Sequence, residues 1–238
     1  MELGVSMTRE HVPAGQGAKM ASKRRLSVIL ALLALTACTG EPEAFRVGRL
    51  LFQSINGSQK IPRERAAAVP YATMGLELGS SAQVLLTLGT TTGKELDWFA
   101  GENIFVATSD GQVIRTVGLP YDLGGRHPIG VSAGHENKDL AAASTSSSMD
   151  FPDLGIFGAT AECSSREKGE EQVEILGAPI LTHHVVEHCN VQVLKWTFDN
   201  DYWRDRTSGY VWRSRQYVHP KSPPVILEVF RPEQNDQN

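Results

Sequence analysis

The sequence predicts a mainly β protein, an antiparallel barrel- or sandwich-like domain with a short N-terminal helix. Two observations carry that expectation. From Tyr71 onward, short runs alternate apolar and polar residues and favour Val, Ile, Thr and aromatics, the pattern of half-buried strands. Tight-turn signals separate these runs. Asp110-Gly111 is the strongest, because that dipeptide tolerates the positive φ angles of a type I′ hairpin. Many strands joined by tight turns, with little helix, read as a barrel or sandwich.

The chain opens with a segment that does not belong to the fold. Lys23-Arg24-Arg25 precedes the apolar run Leu26–Leu35 and then Leu35-Thr36-Ala37-Cys38, a cationic head, an apolar stretch and small residues before a cysteine. The run is about ten residues, roughly 15 Å as a helix, about half a bilayer's hydrocarbon thickness. It is too short to remain as a span. Leu-Thr-Ala-Cys resembles the bacterial lipobox, in which the cysteine thiol is acylated before cleavage in front of it. That resemblance implies a mature chain starting at Cys38 and held to a membrane by acyl chains; a simple cleaved signal with a chance cysteine is the plainer alternative. Met20 opens a compact signal of its own, so 1–37 is set aside from fold reasoning. Thr39 follows the cysteine. In enteric-type lipoproteins Asp at that place retains the protein in the inner membrane, so the likeness implies the outer membrane.

Residues 38–43 form a short polar tether, 44–232 the domain and 233–238 a polar tail. Ala44–Ile55 places Phe45, Leu51, Phe52 and Ile55 at helical spacings, with Gly57 as a stop. Ile61-Pro62 opens a second helical stretch over Arg63–Ala68, ended by Pro70. Tyr71–Leu78 and Gln83–Thr90 read as a hairpin around Gly79-Ser80-Ser81, and Trp98-Phe99 closes a short apolar segment. Asn103–Ser109 and Gln112–Val117 flank Asp110-Gly111. The Gly- and Pro-punctuated stretch Gly118–Leu154, with its low-complexity run Ala141–Ser148, reads mostly as loop, with room for short strands around Ile129–Ser132 and Ile156–Ala161. Strand patterns return at Glu171–Leu176, Ile180–Val186 and Val191–Phe198. Phe198-Asp199-Asn200-Asp201-Tyr202-Trp203 then reads as a turn, and Val211–Tyr217 and Val225–Phe230 close the domain.

Without the leader the chain carries 18 basic against 25 acidic residues, a net charge of −7. Basic stripes are absent, which excludes the usual footprint of nucleic-acid binding. Once Cys38 is assigned to lipid, Cys163 and Cys189 remain as a pair in an oxidising compartment, which favours a disulfide over two free thiols. It would close a loop of about 26 residues, contributing roughly 3 kcal/mol.

Three stretches in order resemble a known family. Val69-Pro70-Tyr71-Ala72-Thr73-Met74 begins a strand pair ending at Leu88-Gly89. Asp110-Gly111-Gln112-Val113-Ile114-Arg115-Thr116-Val117-Gly118-Leu119 forms a central hairpin. Asn200-Asp201-Tyr202-Trp203, Gly209, Val211-Trp212-Arg213-Ser214-Arg215-Gln216-Tyr217, Pro223-Pro224 and Phe230-Arg231-Pro232 follow. After a lipobox, this set resembles the YjbF/GfcB family of exopolysaccharide and group 4 capsule lipoproteins, over roughly Phe45 to Pro232. The resemblance implies a β-rich outer-membrane lipoprotein on the periplasmic face. It implies an accessory role in polysaccharide export, with no catalytic residues to carry over. The expected partners are the membrane, an export porin or periplasmic exopolysaccharide protein, and the polysaccharide itself. No cofactor is implied.

Other constellations point less far. His183, His184 and His188 with Cys189 look like metal ligands, yet in a strand His184 and His188 lie about 13 Å apart and Cys189 faces the other way. Polar strand residues are the better reading, and no metal site is expected. No Gly-x-Ser-x-Gly elbow is present. Asp199 and Asp201 could suit glycoside cleavage, but Asp and Asn are common in turns because they bend backbone. Among the aromatics, Trp98, Trp196, Trp203 and Trp212 could stack on sugars or simply fill the core. Trp203, Trp212, Arg213 and Arg215 lie in the stretch carrying the family likeness and form the candidate binding or docking surface. A lipid- or lipoprotein-handling β-barrel is the main alternative, and a hydrolase using Asp199 and Asp201 the lesser one.

Overall fold

Asp110 and Gly111 adopt φ of 49° and 79°, both positive as a two-residue hairpin turn requires. They join strands β4 (Ile104–Ser109) and β5 (Gln112–Val117), with Ser109 opposite Gln112. The remaining strands of the computed structural model, which describes residues 59–129 and 144–233, are built from the same hairpin unit. They are β1 (Thr73–Leu78), β2 (Val84–Thr92), β3 (Glu95–Ala100), β6 (Gly125–Pro128), β7 (Ser144–Phe151), β8 (Ile156–Ile175), β9 (Ala178–Val191), β10 (Trp196–Arg204), β11 (Val211–Gln216) and β12 (Val225–Arg231).

Every pairing is antiparallel, and the order is β5-β4-β3-β2-β1-β12-β11-β10-β9-β8-β7-β6. Each strand thus lies beside its sequence neighbour, and β1 pairs with β12. The result is an up-and-down barrel open at one seam, between β5 and β6. There Thr116 N–H donates to Leu123 O at 2.9 Å, stitching the seam just ahead of β6. Closure of this kind leaves little free edge. The connections alternate between two ends. Loops 79–83, 101–103, 118–124, 152–155, 192–195 and 217–224 form the proximal end, and the opposite connections the distal end.

Alternation sets the interior. Met74, Leu76 and Leu78 of β1, Val225 and Leu227 of β12, and Trp98, Val106, Met149, Phe151 and Ala161 fill it. Trp98 also satisfies its indole N–H at Thr108 Oγ1, 3.0 Å away. All six residues of β1 are buried, because its outer face is covered too. A strap, 59–72, crosses that face with one helical turn, α1 (Arg63–Ala67), in the stretch where Ile61-Pro62 predicts one. Ile61 and Ala66 bury their side chains. Lys60 bonds Glu77 and Glu228, the Ile61 amide donates to Gln83 Oε1 at 2.9 Å, and Arg231 Nη1 reaches Val69 O at 2.6 Å. Gln83 N–H also donates to Gln59 O at 3.0 Å, so the described chain enters at the proximal end. Arg63 donates to Leu176 O at the β8–β9 turn. That hairpin curls over β10–β12 and packs Val173 and Ile175 on Trp203.

Four expectations change. The strand read over Val191–Phe198 is broken by a turn at Gln192–Leu194, with β9 ending at Val191 and β10 starting at Trp196. The low-complexity run read as loop enters β7, where Ser147, Met149 and Phe151 point inward; hydroxyl side chains on both faces had concealed the alternation. The stretch Phe198–Trp203, read as a turn, lies within β10, paired with β9 from Trp196–Val191 to Arg204–His183. Its acids point outward and meet histidines there. The short strands expected at Ile156–Ala161 and Glu171–Leu176 are parts of one strand, β8, with a register shift between Glu167 and Gly169. The helix expected over Ala44–Ile55, the signal and tether, and residues 130–132 lie outside the described residues.

Candidate functional site

The outer face of β9–β12 carries the side chains singled out in the sequence. His184, Trp203, Arg213 and Glu228 are successive cross-strand neighbours. The His184 ring stacks on the Trp203 indole at 4.7 Å and the Arg213 guanidinium lies 5.2 Å from the same ring. Trp203 is therefore buried between an imidazole and a guanidinium, and offers no free face for a sugar. Trp212 is half-buried, edge-on to Tyr210 at 5.2 Å. Arg213 reaches Glu228 Oε1 at 3.4 Å. Arg215 lies 3.5 Å from Asp201 Oδ2, donates to Tyr217 OH at 2.9 Å and covers that ring. About a third of each arginine side chain is exposed, 32% and 35%, so both reach solvent in part.

Beside them runs a line of imidazole–carboxylate contacts. His184 meets Glu171 Oε2 and Asp201 Oδ1, each at 2.8 Å, and His188 meets Asp199 Oδ1 at 2.6 Å. Asp199 and Asp201 share one strand face, roughly 7 Å apart along the backbone. They belong to a strand surface, with Asp199 52% and His188 60% exposed, and each is already bonded to an imidazole. That arrangement gives a hydrogen-bonding surface.

A second cluster, inside the barrel, has no counterpart in the sequence reading. Arg126 is buried between Ser147 Oγ, at 3.0 Å, and Glu187 Oε1, at 3.7 Å. Glu187 accepts from Asn200 Nδ2 at 3.0 Å and Tyr202 OH at 3.3 Å. Gln216 accepts the Val113 amide at 2.9 Å and donates to Gly111 O at 2.8 Å, so it closes the backbone of the β4–β5 turn. Burial, with Glu187 nearby, pushes the Tyr202 phenol well above its ordinary value. The signal for this cluster was the parity of Val185, Glu187, Cys189 and Val191, alternate residues of one strand that all face inward. Arg126 sits in a Gly-punctuated segment with no periodicity to mark it.

Cys163 and Cys189 are directly opposite on β8 and β9, Cα–Cα 4.1 Å, and joined as a disulfide against Arg126 Nη2. With Glu187 they form a group of potential metal ligands, but the two sulfurs are spent on each other. At the proximal end Asp122 caps the Gly118 and Leu119 amides and accepts from Thr116 Oγ1. Burial raises its carboxyl, against those hydrogen bonds. Cys38 lies outside the described residues, and no helix among those residues is long and apolar enough to cross a membrane.

Comparison with known proteins agrees with this architecture. An uncharacterized lipoprotein, GfcB, of Escherichia coli (strain K12) is 23% identical over 218 residues, covering 88% of this chain and 99% of that protein. The crystal structure of the hypothetical lipoprotein YmcC from Escherichia coli (K12) superposes with a TM-score of 0.62 at 19% identity, over 82% of this chain and 99% of that one. It shares the fold. The model of the family described as group 4 capsule polysaccharide lipoprotein gfcB, YjbF matches residues 45–230, and the chain belongs to that family.

Proposed function

We propose that this protein is an outer-membrane lipoprotein, anchored by acyl chains at Cys38 and facing the periplasm, that assists export or assembly of an extracellular or capsular polysaccharide without catalysing a reaction. The observation that carries the reading is the family match across almost the whole domain, behind a leader ending in Leu-Thr-Ala-Cys. Two or more acyl chains give a stable anchor, where one binds marginally. The geometry supports an interaction role. The polar side chains of the outer face are paired and half-exposed, and Arg213 and Arg215 present cations that suit an acidic glycan or the carboxylates of an export protein. A barrel interior filled by Trp98, Phe151, Met149 and the Arg126–Glu187 cluster weighs against a lipid carrier, which needs room for its cargo. The test is a deletion strain. Surface and secreted polysaccharide should fall and return with the wild-type gene; an unchanged polysaccharide would refute the role.

A further inference from the structure

The strap covers the outer face of β1, and the strands beyond it carry an apolar row on the same face. Phe99, Phe105 and Val117 are successive cross-strand neighbours on β3, β4 and β5, with Thr87 of β2 opposite Phe99. Phe99 and Val117 are 41% and 53% exposed, and the rings of Phe99 and Phe105 meet at 5.2 Å. On the β2 side Phe99 leans over Gly89, where a Cβ would fall 2.6 Å from its ring. Arg115 covers part of Phe105 and pairs with Glu95 at 3.0 Å and Asp97 at 3.9 Å, one cation for two carboxylates. The row is thus an apolar strip with a negative flank.

Three observations point to its occupant. The described chain begins at Gln59, whose carbonyl accepts from the Gln83 amide just before β2. The sequence predicts an amphipathic helix over Ala44–Ile55, with Phe45, Leu51, Phe52 and Ile55 on one side and Arg46 and Arg49 on another. The family match begins at residue 45, so this stretch lies within the family's domain. Reach and length agree. From Gln59 back to Ile55 the chain spans at most roughly 14 Å, and Thr87 lies four residues along β2 from Gln83, about 13 Å. From Ile55 to Phe45 a helix rises about 15 Å, and the three strand steps from Thr87 to Val117 measure about 14 Å. Phe157 and Val193, also exposed, belong to β8 and the end of β9, reached from β1 in the opposite direction. They lie roughly 19–24 Å around the wall, beyond the reach of Ile55. Tyr71, Ile129 and Leu181 are exposed at the distal end, a strand length away from Gln59.

We infer that residues 44–55 dock as a helix across the outer face of β2–β5, with Ile55 near Thr87 and Phe99 and with Phe45 near Val117. The apolar side of the helix buries the row, and Arg46 or Arg49 meets the carboxylate that Arg115 leaves in excess. The strap thereby continues past β1 onto the neighbouring strands. With acylation at Cys38, residues 39–43 alone would separate the membrane from this wall, roughly 20 Å at full extension. That consequence rests on the anchor; the docking does not.

Cross-linking in the acylated full-length protein tests the docking, since Cys163 and Cys189 are bonded to each other. Ala44→Cys is combined with Val117→Cys and, separately, with Phe157→Cys, and each pair is treated with a short bismaleimide. The expected result is intramolecular linkage of 44 to 117 several-fold faster than of 44 to 157, read by mass spectrometry of tryptic peptides. Linkage to 157 at an equal or greater rate, or to neither site, overturns the docking. Phe99→Glu gives an independent reading. Trypsin should cut at Arg46 and Arg49 several-fold faster than in wild type, while cleavage at Arg63 in the strap stays slow. Unchanged cleavage at Arg46 and Arg49 overturns the docking as well.

Discussion

His219 is fully buried, with Nε2 against Asp153 Oδ1 at 2.9 Å, Nδ1 accepting the Lys221 amide at 3.1 Å, and its ring stacked on Tyr121. Burial holds the imidazole below its ordinary value of 6.5, against the pull of Asp153. The unfolded chain therefore binds more protons below about pH 6.5, and stability conferred by the neutral ring is present above that pH and lost as pH falls. The difference in melting temperature between wild type and His219→Gln should narrow from pH 7.5 to pH 5.5; a constant difference would contradict this. Glu187→Ala strands the Arg126 cation and should cost about 3–5 kcal/mol by urea denaturation, with Glu187→Gln milder because it keeps partners for Asn200 and Tyr202. Replacing Cys163 and Cys189 together with serine should cost about 3 kcal/mol. At this scale the sequence was partly legible. The cysteine pair stands out by compartment and count, whereas Arg126 and His219 sit in Gly- and Pro-punctuated stretches where only the fold reveals their burial.

Among the elements, the strap and the seam are the points where closure is most exposed to change. Lys60 bridges the buried Glu77 and Glu228, so Lys60→Ala leaves Glu77 with Gln83 alone, and Glu228 with Gln83 and Arg213, beneath the strap. Trypsin should then cut at Arg63 or Arg65 several-fold faster than in wild type, while an unchanged rate would show that Arg63, Arg231 and Ile61 suffice to hold it. Gly118 has φ 87°, and a Cβ there would fall 1.8 Å from Asn103 O. Gly118→Ala must displace backbone at the β5 end of the seam and should destabilise the barrel by more than about 2 kcal/mol, read as a lower unfolding midpoint. Hairpins with a strong turn signature were legible, as β4–β5 shows. The strands β7 and β10 were misread for one reason. Ser-rich and Asp-Asn-Asp segments carry loop propensities that cross-strand partners override, with Arg126 meeting Ser147 inside and His184 and His188 meeting Asp201 and Asp199 outside.

For the molecule as a whole, the β class followed from alternation and turns, but barrel closure did not, because β1–β12 pairing joins residues about 150 apart in sequence and leaves no local trace. The candidate surface was half legible. Arg213 and Arg215 do reach solvent, while Trp203 fills the space between His184 and Arg213. The proposed function joins a filled barrel to a membrane anchor at Cys38. The direct test of that claim is the amount of surface and secreted polysaccharide in a deletion strain carrying either the wild-type gene or Cys38→Ala, with both proteins exported at equal levels. The account predicts that only the wild type restores the polysaccharide; full restoration by the unanchored form would contradict it.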